Sequence, residues 1–271
     1  LIVFTSYPLF TDYLVYSHDL AGHLVRIEGV KDALLEGQFP AAVYPNTNNG
    51  YGLLGFIYPN LSLYFPAFLR ICNVSMVTAY QSLMLLINVG TALAAYYCTK
   101  SITKSEYSAL LGCVLYMLAP YRLCDLYIRG ALGELLAMLF LPFLLAGLYH
   151  LFLGDHKKWY LLVIAYTGIL QSHMLSCLLA LGISVLFGLM LVKHIFSEKR
   201  WLSLLKALGA TLALNLYYII LFFKFTANPL GLGTIENLDF YRDSIFPGQL
   251  LMTQVSVFTV LPQEVGISDE M

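Results

Sequence analysis

Long apolar runs separated by short polar connections dominate this chain. They cover residues 1 to about 16, 76–98, 105–121, 132–153, 159–172, 174–193 and 206–225. A helix of about 20 apolar residues crosses a hydrocarbon core of about 30 Å, so the pattern predicts about seven transmembrane helices. The stretch 159–193 is interrupted only at Gln171-Ser172-His173. As one straight helix it would reach about 52 Å, too long for a single span, and a hairpin turning at those three residues is expected instead. The segment 53–70 is apolar enough to cross, but Pro59, Asn60, Ser62 and Pro66 spoil a clean helix. It reads as a re-entrant or surface-lying element.

Between the first two runs lies a large polar loop, 17–75. Within it, residues 19–36 read as an amphipathic helix. At 100° per residue, Leu20, Leu24, Ile27, Leu34 and Leu35 share one stripe, while Glu28, Asp32 and Glu36 lie opposite. Gly37 and Pro40 mark its stop. Such a helix lies on a membrane surface or on the helix bundle.

Composition agrees with the pattern. The chain has 271 residues, 59% of them hydrophobic and 11% charged, with a mean hydropathy of +0.74, well outside the range of soluble domains. The net charge of −1 gives no reason to expect a nucleic-acid partner. The placement of positive charge says more than its sum. Lys100, Lys104, Lys157, Lys158, Lys193, Lys199, Arg200 and Lys206 fall in or beside connections 99–104, 154–158 and 193–206. The positive-inside rule puts these in the cytoplasm and the loop 17–75, residues 119–132, the turn 171–173 and the segment 226–271 outside. The five cysteines are scattered without a Cys-x-x-Cys pair and read as small apolar fillers. The chain opens on Leu inside an apolar run and reads as a piece of a longer one, with 226–271 the start of a further part.

Polar groups on the outer side supply the candidate chemistry. Asp19, His23 and Arg26 recur at i, i+4 and i+7 on the amphipathic helix. Taken alone, they form a solvated helix edge with a weak pair. In "APYRLCDLYIRGALGE", Arg122, Asp125 and Arg129 precede Glu134. These form either a self-satisfied ion-pair cluster or an anion site, because planar guanidiniums suit phosphate. His173 in "QSHMLS" either caps the hairpin or serves a rim-level site. His18 and Asp19 are weak candidates for a metal, since two imidazoles and a carboxylate on a surface helix are not a specific pattern. There is no phosphate-cradling glycine loop, HExxH or GxSxG motif.

The order of "HDLAGHLVRIEGVKDALLEGQFP", "NNGYGLLGFIYPNLSLYFPAFLR", "APYRLCDLYIRGALGE" and "LQSHMLS" resembles bacterial polytopic membrane proteins of the 6-pyruvoyl-tetrahydropterin synthase-related domain family, which look like relatives of GT-C class membrane glycosyltransferases. The resemblance covers roughly 12–225. Nothing resembles a soluble pterin synthase or its zinc-binding histidines. It implies an all-α, GT-C-like polytopic membrane fold in the bacterial cytoplasmic (inner) membrane, with the active face outside. The implied activity is transfer of a sugar from a polyprenyl-phosphate donor to an envelope glycan or lipid acceptor. Asp19 matches the acidic residue after the first span, as general base or, in metal-using members, a divalent-metal ligand. His23, Arg26, Arg122, Arg129, Glu134 and His173 would contact the substrate. No other cofactor is implied. The acidic pair of some GT-C branches is here His18-Asp19. Two other readings remain: a transporter or lipid flippase, and a non-catalytic scaffold. A transporter would place charge near the midplane, often with inverted repeats. Here the polar groups gather at the outer rim and no repeat is visible.

Overall fold

A computed structural model describes residues 1–47, 50–52 and 58–226. Residues 227–271 of the segment expected beyond the last run, and residues 53–57 at the start of the re-entrant element, lie outside the described residues. The described chain is all-α apart from one small ribbon, β1 (Tyr44–Thr47) paired antiparallel with β2 (Gly50–Gly52).

The expected first run forms only α1 (Ile2–Ser6) and a 3-10 turn at Tyr7–Leu9. Pro8 sits at the start of that turn, where its missing N–H suits a new start rather than a continuing helix. The loop helix α2 (Leu20–Leu35) forms nearly within its expected bounds. It ends at Gly37, whose φ of +80° is the left-handed stop that glycine permits. Its buried face differs from the predicted stripe. Leu20, Ile27, Val30 and Ala33 are inside, but so is Arg26, while Leu35 is 65% exposed. The face turns because α2 packs on protein: its apolar residues join Leu63 of the 3-10 turn Leu61–Leu63, Ala67 of α3 (Tyr64–Ile71), and Leu83, Met84 and Ile87 of the next helix in one core.

α4 (Met76–Thr103) is N-capped by Ser75, whose Oγ accepts from the Thr78 amide. α5 (Glu106–Met117) follows, capped in the same way by Ser105. The run expected at 105–121 does not continue straight. It breaks before Pro120 and resumes as α6 (Pro120–Cys124), which widens into a π turn at Asp125–Arg129, bent 46° from α5. α7 (Leu132–Phe152) is the most apolar long helix. The expected hairpin then appears as α8 (Tyr160–Leu170) and α9 (Met174–Met190), separated at Gln171–His173. The two arms pack together, and the Tyr166 hydroxyl of α8 donates to the Ala180 carbonyl of α9. α10 (Val192–Ile195) leads into α11 (Arg200–Thr226).

Among the described residues, three helices are long and apolar enough to cross a membrane, against the seven crossings expected: Met76–Thr103, Leu132–Phe152 and Ser197–Lys224. The bent pair Glu106–Met117 and Pro120–Arg129 would make a fourth. The hairpin arms have 11 and 17 residues, about 16 and 25 Å of helix, short of a full hydrocarbon core. The residues spent on the turn and on α10 account for the shortfall.

The lysine-bearing connections meet at one end. Arg200 Nη1 donates to the Leu151 and Gly154 carbonyls at 2.9 Å each. His156 meets Ser203 at 2.8 Å, and His150 meets Ser101 at 3.2 Å. At the other end lie the starts of α4 and α7, the hairpin turn, and α2.

Candidate functional site

A crossing of two backbones positions the head of α2. The amides of His18 and Asp19 donate to the carbonyls of Ile128 and Arg129, at 3.4 and 3.0 Å. Next in that strand is Gly130, with φ +63°. A side chain there would overlap the Ser17 hydroxyl, so glycine is required twice over, by dihedral and by space. The crossing sets Asp19 at the N-terminus of α2, directly over the start of α7. Gly133 in turn lets α7 approach the hairpin turn, since a Cβ there would lie 3.1 Å from the Ser172 carbonyl.

Between these elements opens a cleft of about 370 Å³. Asp19, His23 and Arg26 form one wall, Tyr58 closes an edge, and Glu134 and His173 face them. Residues from four separate segments therefore meet, spanning 18 to 173 in the chain. Five of the seven residues singled out from the sequence line this cleft, and Arg122 and Arg129 do not.

The charges differ sharply in their partners. Asp19 is exposed and its carboxylate accepts no hydrogen bond among the described residues. Arg129 is fully committed. It donates to Asp125 Oδ1 at 2.7 Å, to both oxygens of Glu134 at 3.0 Å, and to the Tyr121 hydroxyl at 2.8 Å. Of the two readings open for 119–134, the self-satisfied cluster is the arrangement found around Arg129. Glu134 is thereby fixed in the cleft wall as a bridged carboxylate. Arg122 is 2% exposed. It donates to Asn88 Oδ1 and to the Met117 carbonyl, satisfying the end of α5 at the break. Asn88 carries the network on to the Thr5 carbonyl and Ser6 Oγ. Arg122 thus ties α1, α4 and α5 together.

Arg26 is nearly as buried, at 7%, yet lines the cleft. Nη2 donates to the Pro59 carbonyl at 2.9 Å, and the guanidinium lies over the Tyr58 ring at 5.0 Å. Tyr58 and Pro59 were not singled out as site residues. Their signal was the Pro59-Asn60 pair, since Asn60 anchors this turn by donating to the Ala41 carbonyl at 2.9 Å. His23 stacks its functions between these groups. Its Nδ1 is 3.5 Å from Arg26 Nη1, and its Nε2 accepts from the Leu132 amide at 3.4 Å. Burial, and then the Arg26 charge, push the imidazole down to about 4, so His23 is neutral at pH 7. Burial also lowers His173. Its Nδ1 meets Ser176 Oγ at 2.9 Å and caps α9, which leaves Nε2 as the ring nitrogen not used in the cap. Among the described residues no three His, Cys, Asp or Glu side chains form a group that could hold a metal ion. His18 and Asp19 offer two donors at most.

The architecture defines an all-α polytopic membrane protein. Residues 56–219 match the family described as 6-pyruvoyl-tetrahydropterin synthase related domain, a membrane protein. The chain belongs to that family. No curated protein and no solved structure gives a match to it. The matched segment contains Glu134, His173 and the Arg129 cluster, whereas Asp19, His23 and Arg26 precede it.

Proposed function

We propose that this protein is a membrane glycosyltransferase of GT-C type. It moves a sugar from a polyprenyl-phosphate donor to an envelope glycan or lipid on the extracytoplasmic face of a bacterial inner membrane. The lysine-rich connections lie in the cytoplasm by the positive-inside rule, which leaves the cleft outside.

The observation that carries the reading is Asp19: an unpaired, exposed carboxylate at the mouth of a cleft lined also by histidines, Arg26 and the Arg129-held Glu134. A carboxylate free of partners is available to take a proton. It would accept the proton of the acceptor hydroxyl as that oxygen bonds to the sugar's anomeric carbon. The bond from that carbon to the phosphate oxygen breaks, and its electron pair leaves with the phosphate. The dimensions suit this line of atoms. Asp19 and Arg26 are seven residues apart on one helix face, about 10 Å along the axis. An in-line arrangement needs a hydrogen bond of about 2.8 Å at each end and a near-attack contact of about 3 Å, a total of the same order.

The test is transfer from labelled polyprenyl-phosphate sugars in proteoliposomes. Asp19→Asn should lower the rate by roughly 10²-fold or more, and Asp19→Glu should keep part of it. Equal rates for wild type and Asp19→Asn would remove Asp19 from the chemistry.

A further inference from the structure

Among the described residues, Arg26 is the buried arginine that lines the cleft. Arg129 holds two carboxylates. Arg200 pairs with Glu198 and binds the carbonyls at the end of α7. Arg122 spends its donors on Asn88 and a helix-end carbonyl, where the backbone dipole is negative. Arg26 forms no ion pair among the described residues. Its partners are neutral: the Pro59 carbonyl, His23, the Tyr58 face and the Tyr44 hydroxyl. Its Nε is buried with no hydrogen-bond partner, as are those of Arg122 and Arg200, but those two do not line the cleft. Removing a guanidinium from water costs several kcal/mol unless a counter-charge restores it. Here the uncompensated group opens onto a cleft rather than onto a helix end.

We infer that Arg26 is the seat of an anionic ligand group, a phosphate ester, with the imidazole of His173 on the facing wall as its second donor. The sequence pointed to Arg122 and Arg129 for this role, but Arg122 does not line the cleft and Arg129 is held by two carboxylates. Neutral His23 suits the seat, because it lies 3.5 Å from Arg26 Nη1 without adding a competing anion. Glu134 on the facing wall is held by Arg129, so its charge is not free to neutralise Arg26. The lipid carrier rests on the function proposed above; the anion rests on Arg26 alone.

Binding, measured apart from transfer, tests this. The full chain in nanodiscs is titrated with farnesyl phosphate, farnesol and inorganic phosphate. Farnesyl phosphate should bind at least tenfold more tightly than farnesol. Arg26→Gln should erase that difference, and Arg26→Lys should keep part of it. Equal affinity for farnesyl phosphate and farnesol in the wild type overturns the seat, as does an unchanged preference in Arg26→Gln. Inorganic phosphate competing as well as the lipid phosphate would keep the seat and overturn the lipid source. If Arg26→Gln does not fold, hydrogen exchange of the wild type decides: farnesyl phosphate should protect 20–30 and 171–175, and protection confined elsewhere refutes the seat. Phosphate binding without sugar transfer from any donor would remove the transferase reading and leave the anion seat standing.

Discussion

Gly130→Ala should unseat Asp19 without touching it. Gly130 has φ +63° and sits where the 128–130 strand crosses Ser17–Asp19. An alanine in this left-handed conformation costs roughly 1–2 kcal/mol. The added methyl would also overlap the Ser17 hydroxyl, and forcing the crossing apart costs typically about 1–3 kcal/mol more. The expected loss is on the order of 3 kcal/mol, a fall in Tm of roughly 5–10 °C. Thermal unfolding in detergent reads it, with Gly182→Ala as the comparison. Nothing lies within 4 Å of a Cβ at Gly182, so that helical substitution should gain about 0.5–1 kcal/mol. The two parts of the cost separate in a double mutant. Ser17→Gly added to Gly130→Ala relieves the overlap but not the dihedral, and should recover about half the loss. A Gly130→Ala protein as stable as wild type, or a double mutant with no recovery, would refute the crossing as the element that places the head of α2.

Three further outcomes follow from the same geometry. Arg129→Gln should cost about 3–5 kcal/mol, because it leaves Asp125, at 0% exposure, and Glu134 without their cation; Arg70→Gln, which breaks the partly exposed Glu28 pair and a hydrogen bond to the Val74 carbonyl, should cost only about 1–2 kcal/mol by the same denaturation assay. Because the folded state holds His23 down to about 4 from 6.5, its contribution is complete above pH 6.5 and is lost as pH falls from 6.5 to 4; melting curves across that range should show up to about 3 kcal/mol of pH dependence that His23→Gln flattens. Cys72 is exposed at the end of α3, on the cleft end of the bundle, so an impermeant maleimide should label it in intact cells, while Lys157→Cys should react only after permeabilisation; the reverse pattern would invert the topology.

Much of this protein is written in local patterns. The apolar runs at 76–98 and 132–153 become long helices, the helix beginning near residue 19 stops at its glycine, and the polar turn at 171–173 divides two packed arms. These features depend on a residue and its near neighbours: hydropathy over a helix length, a left-handed glycine, a break in an apolar run. The same reasoning gathers the lysines into connections that the fold brings to one end. Local patterns do not set span length as firmly, because a run such as 105–121 holds no sign of how sharply it bends at Pro120.

What tertiary structure alone decided is which charges are spent. Arg26, Arg122 and Arg129 look alike as letters in amphipathic stretches. Arg122 is consumed by Asn88, 34 positions earlier, and Arg129 by a glutamate in the next helix. Arg26 is turned inward by packing against α3 and the 58–60 turn, and meets no acid there among the described residues. Helical spacing tells which side chains share a face, but burial and counter-charge come from segments far away in the chain. The free energy of a buried cation is set by those distant partners, so only the folded arrangement distinguishes an arginine that holds the bundle together from one that faces a cleft.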